Sequence, residues 1–189
     1  MHKFDPAKAE KLLDPERYHR LKPDVLLEKL GVAPGGTILD LGCGNGFFTF
    51  PASAAMGEDG MVIAADMSEE MLQLLKDRNP RDNVQVLRVE EVKMDVDTES
   101  VDGAVLINLY HEFNNREDNV QELKRVLKAD GKLLVIDPAP DDKDTSGPPN
   151  HHRVALETAR EELTQWGFSV TTNEMYTEDS WIIIAQRKA

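Results

Sequence analysis

The sequence predicts a single α/β domain built around a mostly parallel β-sheet. Short apolar, β-branched segments alternate with amphipathic helical segments, which is typical of βαβ units. The strand segments are apolar on both faces, as strands buried inside a parallel sheet are. With 189 residues, the chain also has the usual length of one domain. We therefore expect residues 1–189 to form one three-layer αβα domain.

The amino-terminal part, residues 1–23, is polar and contains three prolines, so we expect an extension with one or two short helices. A helix Val25–Leu30 follows, and Gly31 ends it. Five buried strands are then expected in chain order. Their predicted bounds are Thr37–Leu41, Met61–Ala65, Val84–Val89, Val101–Leu109 and Lys132–Asp137.

Three helices are expected between these strands. The first, Phe47–Met56, follows a glycine-rich segment. The second begins after Ser68, which can cap it, and two glutamates in its first turn suit the helix dipole. The third, Arg116–Ala129, shows helical apolar spacing and ends at an Asp-Gly pair.

The last third of the chain has a different character. Residues 138–152 form a long predicted loop, and a loop of this length in a small domain is commonly functional. A helix with Leu156 and Leu163 on its apolar stripe follows. Two final strands, Phe168–Tyr176 and Ser180–Arg187, are separated by three residues, too few for a crossover helix, so they must pair antiparallel. The sheet is expected to end in an antiparallel carboxyl-terminal hairpin.

Composition excludes several functions. The chain has 35 acidic and 22 basic side chains and a net charge of −13, which disfavours nucleic acid and anionic membrane surfaces as partners. Its one cysteine, Cys43, excludes a disulfide framework and a multi-cysteine zinc site, and we expect no metal. The amino terminus lacks the apolar core of a secretory signal, and the apolar runs are short. We expect a cytoplasmic protein.

The strongest motif is the glycine-rich segment after the first strand, Gly42-x-Gly44-x-Gly46. Such a segment lets a ligand approach the backbone at the carboxyl edge of the sheet. The dinucleotide pattern places its third glycine one residue later, where this chain has Phe47. The segment also has no basic residue, so the motif disfavours a pyrophosphate cofactor.

Acidic residues follow the next two strands. Asp66, at the end of the second strand, can accept hydrogen bonds from both hydroxyls of an unphosphorylated ribose and would repel a 2′-phosphate. Glu90 and Glu91 come just after the third strand, where an acid can accept a hydrogen bond from an adenine amino group. Spacing alone does not choose between the two glutamates.

Together, the segment Asp40–Gly46, Asp66, the glutamate pair and the segment Asn108–Glu112 resemble a Rossmann-like, class I S-adenosylmethionine-dependent methyltransferase. The chain is most similar to the small stand-alone type 11 enzymes related to ubiquinone and menaquinone methyltransferases. The resemblance covers roughly residues 20–137 and implies a seven-stranded sheet of order 3-2-1-4-5-7-6. It implies a helical cap (1–23), a cofactor-binding core (24–137) and a substrate side (138–189).

The resemblance also implies roles for individual residues. Asp40 would organise the glycine loop and attract the ammonium of the cofactor, and the loop itself would lie along its methionine portion. Asp66 would hold the ribose and Met67 would pack on adenine, with Glu90 or Glu91 at the adenine edge. Asn108 would lie near the sulfonium. The remaining loop residues expected at the cofactor are Gly42, Cys43, Gly44, Asn45 and Gly46.

The acceptor and the catalytic base stay open at this stage. A general base could come from the carboxyl ends of the fourth and fifth strands or from the loop that follows. The candidates are His111, Glu112, Asp137, His151 and His152. We expect S-adenosyl-L-methionine as the cofactor, a small-molecule acceptor, and a monomer or homodimer. The alternatives are a non-catalytic cofactor-binding protein and an NAD-dependent oxidoreductase.

Overall fold

The computed structural model describes residues 6–90, 92–141 and 147–188, and it contains one seven-stranded sheet. The strand order is β3-β2-β1-β4-β5-β7-β6. The first five strands run parallel, and the last two form an antiparallel hairpin that pairs with β5 through β7. The predicted architecture and strand order are confirmed. The strands are β1 (Thr37–Leu41), β2 (Met61–Asp66), β3 (Val84–Arg88), β4 (Val101–Ile107), β5 (Leu127–Pro138), β6 (Phe168–Met175) and β7 (Ser180–Arg187).

Helices cover both faces of the sheet. On one face, side chains of α2, α3 and α4 pack against strand residues such as Val105 and Leu134. On the other, α5 and α6 pack against the alternate residues, including Leu133 and Val135. This alternation makes the three layers. The helices are α1 (Pro15–Leu21), α2 (Pro23–Leu30), α3 (Thr49–Met56), α4 (Glu69–Asp77), α5 (Arg116–Val126) and α6 (Leu156–Gln165), with short 3₁₀ helices at Pro6–Leu13, Tyr110–Glu112 and Asn150–His152.

Several predicted bounds differ from the structure: β5 begins at Leu127 instead of Lys132 and α2 at Pro23 instead of Val25, and three further differences have a clear local cause. The helix predicted for Arg116–Ala129 ends at Val126, because the next residue pairs with Val101 and starts β5. The helix predicted from Phe47 begins at Thr49, because the glycine loop continues as turns up to that point. The fourth strand ends at Ile107, two residues early, because Asn108 takes a left-handed backbone conformation (φ +57°).

Candidate functional site

A cavity of about 770 Å³ opens at the carboxyl edge of the parallel strands. In an open α/β sheet this edge is the usual ligand-binding position. The sequence-predicted residues that line the cavity come from the ends of β1, β2, β3 and β4. They are Asp40, Gly42, Cys43, Gly44, Asp66, Met67, Glu90, Asn108, His111 and Glu112.

The glycine loop forms one wall of this cavity. Gly42, Gly44 and Gly46 all have positive φ values, of +73°, +54° and +94°, which other residues rarely adopt. The backbone N–H groups of Gly42 and Cys43 both donate to the Ala65 carbonyl, at 2.8 and 3.0 Å. The loop is therefore fastened to the end of β2, with its backbone exposed to the cavity.

Asp66 fastens the same loop from β2. One carboxylate oxygen accepts from the Gly44 N–H and the other from the Ser68 N–H, each at 2.9 Å. Burial raises the pKa of Asp66, and these backbone hydrogen bonds oppose that shift. Each oxygen keeps a further lone pair for a ligand hydroxyl. The residue expected to bind the ribose therefore also anchors the glycine loop.

Asp40 lies at the bottom of the cavity and is almost completely buried. The Thr49 hydroxyl donates to one of its oxygens at 2.6 Å. Burial raises the pKa of Asp40 to about 7, although the Thr49 hydrogen bond opposes the shift. A desolvated carboxyl group facing a cavity is well suited to a cationic ligand group.

The amino-terminal segment covers the glycine loop, and sequence analysis missed its contribution. Leu12 and Arg17 line the cavity. The Arg17 guanidinium donates to the Leu12 carbonyl at 2.9 Å and lies 4.1 Å above the Phe47 ring. Burial lowers the pKa of Arg17 to about 10. The expected helical cap of residues 1–23 thus includes two side chains of the cavity wall.

Two residues of the loop turn away from the cavity. The Asn45 side chain is buried and donates to the Ala9 carbonyl at 2.7 Å, because the amino-terminal 3₁₀ helix packs there. Gly46 does not line the cavity, and a Cβ on it would lie 2.5 Å from the Phe50 ring. Cys43 lines the cavity, and burial raises the pKa of its thiol, which is consistent with a packed residue rather than a nucleophile.

Residues after β2 and β3 form the other end of the cavity. Met67 is half-buried there, and Glu90 is exposed at the mouth. Glu91 lies outside the described residues, so the choice between the two glutamates stays a prediction. Asn108, in its left-handed turn, lies on the cavity wall after β4.

A histidine and a buried aspartate meet beside Asn108. The His111 ring atom Nδ1 lies 3.0 Å from both carboxylate oxygens of Asp137, and the His111 backbone N–H donates to the same carboxylate at 3.0 Å. Asp137 is fully buried at the end of β5, behind the cavity wall. Because the carboxylate only accepts, neutral His111 carries its proton on Nδ1 and leaves Nε2 as an acceptor. This is the arrangement that holds a histidine base in one orientation.

Charges around His111 set its protonation. Burial lowers the pKa of His111, but the hydrogen bond and charge of Asp137 and the charge of Glu112 together raise it above its ordinary value. Glu112 lies on the cavity wall with Oε1 4.0 Å from His111 Nε2. Burial raises the pKa of Glu112 to about 7.

The other histidines proposed as bases lie elsewhere. His151 and His152 are exposed in the 3₁₀ helix Asn150–His152, with their rings 4.3 Å apart, and neither lines the cavity. The described part of the 138–152 loop reaches the cavity through Gly147 and Pro148 instead. The structure therefore brings together His111, Glu112 and Asp137 and leaves the pair of histidines outside.

A network behind the histidine was not found by sequence analysis. The Tyr110 hydroxyl donates to Glu162 of α6 at 2.7 Å, and Arg116 donates to the same carboxylate at 2.8 and 2.6 Å. Burial raises the pKa of Tyr110, which therefore stays a donor. The short helix that carries His111 is thus held from both α6 and β5. Tyr110 and Glu162 are 52 residues apart in the chain, and no local sequence pattern indicates their contact.

Comparisons with known proteins identify the family. A family model described as "Methyltransferase domain" matches residues 39–135. A SAM-dependent methyltransferase from Aquifex aeolicus is 31% identical, with a TM-score of 0.91, covering 98% of this chain and all of that one. The chain belongs to the S-adenosylmethionine-dependent methyltransferases. Within that class it is a type 11 protein with a Rossmann-like fold, which confirms the family and the cofactor predicted from the sequence.

Curated relatives match part of the chain. The ubiquinone/menaquinone biosynthesis C-methyltransferases UbiE of Ectopseudomonas mendocina and Azotobacter vinelandii are 30% and 31% identical over 123 residues. These matches cover 63% of this chain, which spans about half the length of the relatives. A geranyl diphosphate C-methyltransferase from Streptomyces coelicolor, whose structure contains S-adenosyl-L-homocysteine, shares the fold with a TM-score of 0.75, covering 95% of this chain and 84% of that one, at 15% identity.

Two further features concern only the described residues. No helix there is both long and apolar enough to cross a membrane. Within the same ranges, no three His, Cys, Asp or Glu side chains are grouped so that they could hold a metal ion.

Proposed function

We propose that this protein transfers the methyl group of S-adenosyl-L-methionine to a small-molecule acceptor, with His111 as the general base. The observation that supports the base most strongly is the buried carboxylate of Asp137, which binds Nδ1 of His111. Nε2 is left as an acceptor, and His111 lines a cavity large enough for a cofactor and a small acceptor.

The residues present fit the cofactor. The buried Asp40 carboxyl suits its ammonium, the exposed backbone of the glycine loop suits close approach of its methionine portion, and Asp66 keeps lone pairs for the ribose. Met67 and Glu90 would contact adenine, with Glu91 the alternative for the second contact. When bound, the cofactor supplies a methyl group on a positively charged sulfur, so the protein does not have to create the electrophile.

The protein's own tasks are then positioning and proton removal. Holding the acceptor in line with the methyl group can contribute about 7–11 kcal/mol in favourable cases. A base positioned like His111 contributes a further factor of roughly 10²–10⁴ when the acceptor atom carries a proton. Asp137 acts through His111 by fixing its tautomer and stabilising the imidazolium that forms.

Several finer points belong to the same proposal. The UbiE relatives act in ubiquinone and menaquinone biosynthesis as C-methyltransferases, which supports a small-molecule acceptor. The net charge of −13 argues against nucleic acid as that acceptor. We also place the protein in the cytoplasm, as a monomer or homodimer.

The test uses S-adenosylmethionine labelled in its methyl group and a pooled low-molecular-weight extract as the acceptor source. Label should appear in a small molecule with the wild-type protein. His111→Gln should slow transfer at least about 100-fold while S-adenosylhomocysteine still binds. The matched control is His19→Gln, an exposed histidine of α1 outside the cavity. Undiminished transfer by His111→Gln would contradict the assigned base, and failure to bind S-adenosylhomocysteine would contradict the cofactor site.

A further inference from the structure

We propose that the acceptor is a small amine, that Glu112 binds its ammonium form, and that His111 removes its proton. This inference rests on the proposed methyl transfer and adds the chemical class of the acceptor. It starts from the spacing of two side chains that follow one another in the 3₁₀ helix Tyr110–Glu112.

The two side chains are placed to share one ligand atom. Glu112 Oε1 lies 4.0 Å from His111 Nε2, which is too long for a hydrogen bond between them. A donor atom between them could lie about 2.9 Å from each, within hydrogen-bond range of both. The hydrogen bond from Nδ1 to Asp137 leaves Nε2 as an acceptor in the neutral ring. The gap between Nε2 of His111 and Oε1 of Glu112 therefore has a hydrogen-bond acceptor on each side.

The number of hydrogens on the acceptor atom then discriminates between substrates. An ammonium or amine nitrogen carries two or three hydrogens and can donate to Nε2 and to Oε1 together. A phenol or enol has one hydrogen and can satisfy one side only, which leaves the other acceptor without a partner. A carboxylate or phosphate has no hydrogen to donate, and its negative charge would be repelled by the negative charge of Glu112.

The charges facing this gap favour a cation. Asp137 lies behind His111, and the carboxyl groups of Asp40 and Asp66 line the same cavity. The arginines on or near the cavity are held by other groups: Arg17 donates to the Leu12 carbonyl, Arg88 lies 3.9 Å from Glu69, and Arg153 donates to the carbonyls of Pro148 and Ala139. With a pKa of about 7, Glu112 is only partly ionised at neutral pH, and a bound ammonium would favour its charged form, in which both oxygens accept.

The reaction balances without any further reactant. The ammonium R–NH₃⁺ gives one proton to His111 Nε2 and becomes R–NH₂. The nitrogen lone pair forms a bond to the methyl carbon while the carbon–sulfur bond breaks and sulfur keeps the electron pair. The products are the methylammonium R–NH₂⁺–CH₃, neutral S-adenosylhomocysteine and a proton, which the imidazolium later releases to water.

The test needs no knowledge of the natural amine. Sinefungin is an analogue of the cofactor in which a carbon bearing an amine replaces the methylated sulfur, so its ammonium lies where the methyl group and the incoming nitrogen meet. S-adenosylhomocysteine lacks that ammonium. Calorimetry of both compounds with wild type, Glu112→Gln and Glu112→Asp measures the preference for the cation. Glu117→Gln, an exposed carboxylate of α5 outside the cavity, is the control for loss of one negative charge.

We expect wild type to prefer sinefungin. Glu112→Gln should weaken sinefungin binding about 10-fold and change S-adenosylhomocysteine binding less than about 2-fold, while Glu112→Asp should keep part of the preference. Equal effects on both compounds, or no effect on either, would overturn the amine assignment. If the wild-type protein does not bind S-adenosylhomocysteine, the proposed function itself is overturned.

Discussion

Replacing Asp137 with asparagine should change both the tautomer and the acidity of His111. The carboxylate accepts from the Nδ1 and the backbone N–H of His111, each at 3.0 Å. In asparagine one of the two carboxylate oxygens becomes an NH₂ group, which donates instead of accepting, and the negative charge is lost. At 3.0 Å and an effective dielectric constant of about 20, the lost charge is worth about 5 kcal/mol to the imidazolium.

Burial of His111 persists in this variant, so its pKa should fall below the ordinary value of 6.5, whereas in the wild type it lies above. Since each 1.4 kcal/mol changes an equilibrium constant about tenfold, the fall in the pKa of His111 should be large. Because the folded-state pKa is raised, the stabilisation from this pair is fully present below the unfolded value and is lost as the pH rises through the folded value. Removal of the pair should cost about 1–3 kcal/mol, most at mildly acidic pH, where His111 is protonated and Asp137, whose pKa is raised by burial, is still ionised.

Nitrogen-15 NMR of the histidine ring measures the pKa and the tautomer directly and needs no acceptor. Wild type should show neutral His111 protonated on Nδ1, and Asp137→Asn should show a lower pKa and protonation moving to Nε2. The ring signals of exposed His19 are the internal control and should be the same in both proteins. An unchanged pKa and tautomer for His111 would refute the role given to Asp137.

Three further predictions concern the cofactor side of the cavity. Asp66→Ala removes the acceptor of two backbone N–H groups and should weaken S-adenosylhomocysteine binding by about 1–3 kcal/mol in calorimetry; unchanged affinity would place the ribose elsewhere. Gly44→Val forces a β-branched residue to φ +54° and puts a Cβ 3.2–3.3 Å from Met71 and Leu12, so binding should be lost while circular dichroism shows a folded protein; normal binding would place the ligand away from this loop. Because the pKa of Asp40 is raised to about 7, binding of the cofactor's ammonium at pH 7 should release part of a proton, seen as a dependence of the heat on buffer ionisation, and Asp40→Asn should abolish this release.

Local patterns were sufficient to predict most of the fold. β1 has the bounds that its apolar run predicts, and Ser68 caps α4 through its hydroxyl as its position predicts. The end of α5 was wrong because Leu127 fits a helical stripe equally well. Pairing with Val101, 26 residues earlier in the chain, makes it a strand residue, and a local window does not contain that information.

Site residues could be predicted where the order of the strands alone fixes their position, and could not be predicted where their position depends on tertiary packing. His111 and Asp137 were both named because they lie at the carboxyl ends of adjacent strands, but their contact depends on the register of β4 against β5. Asn45 was expected at the cofactor, and packing of the amino-terminal segment turns it toward Ala9 instead. Arg17 was not foreseen, because nothing local indicates that the segment folds back over the glycine loop.

A crystal structure with S-adenosylhomocysteine bound would test the central claim most directly. We predict the amino-acid end of the ligand along the loop Gly42–Gly44 with its ammonium facing Asp40, the ribose hydroxyls on Asp66, and the sulfur facing His111 and Glu112. Electron density for the ligand outside this cavity, or a ribose bound away from Asp66, would contradict the assignment of the site.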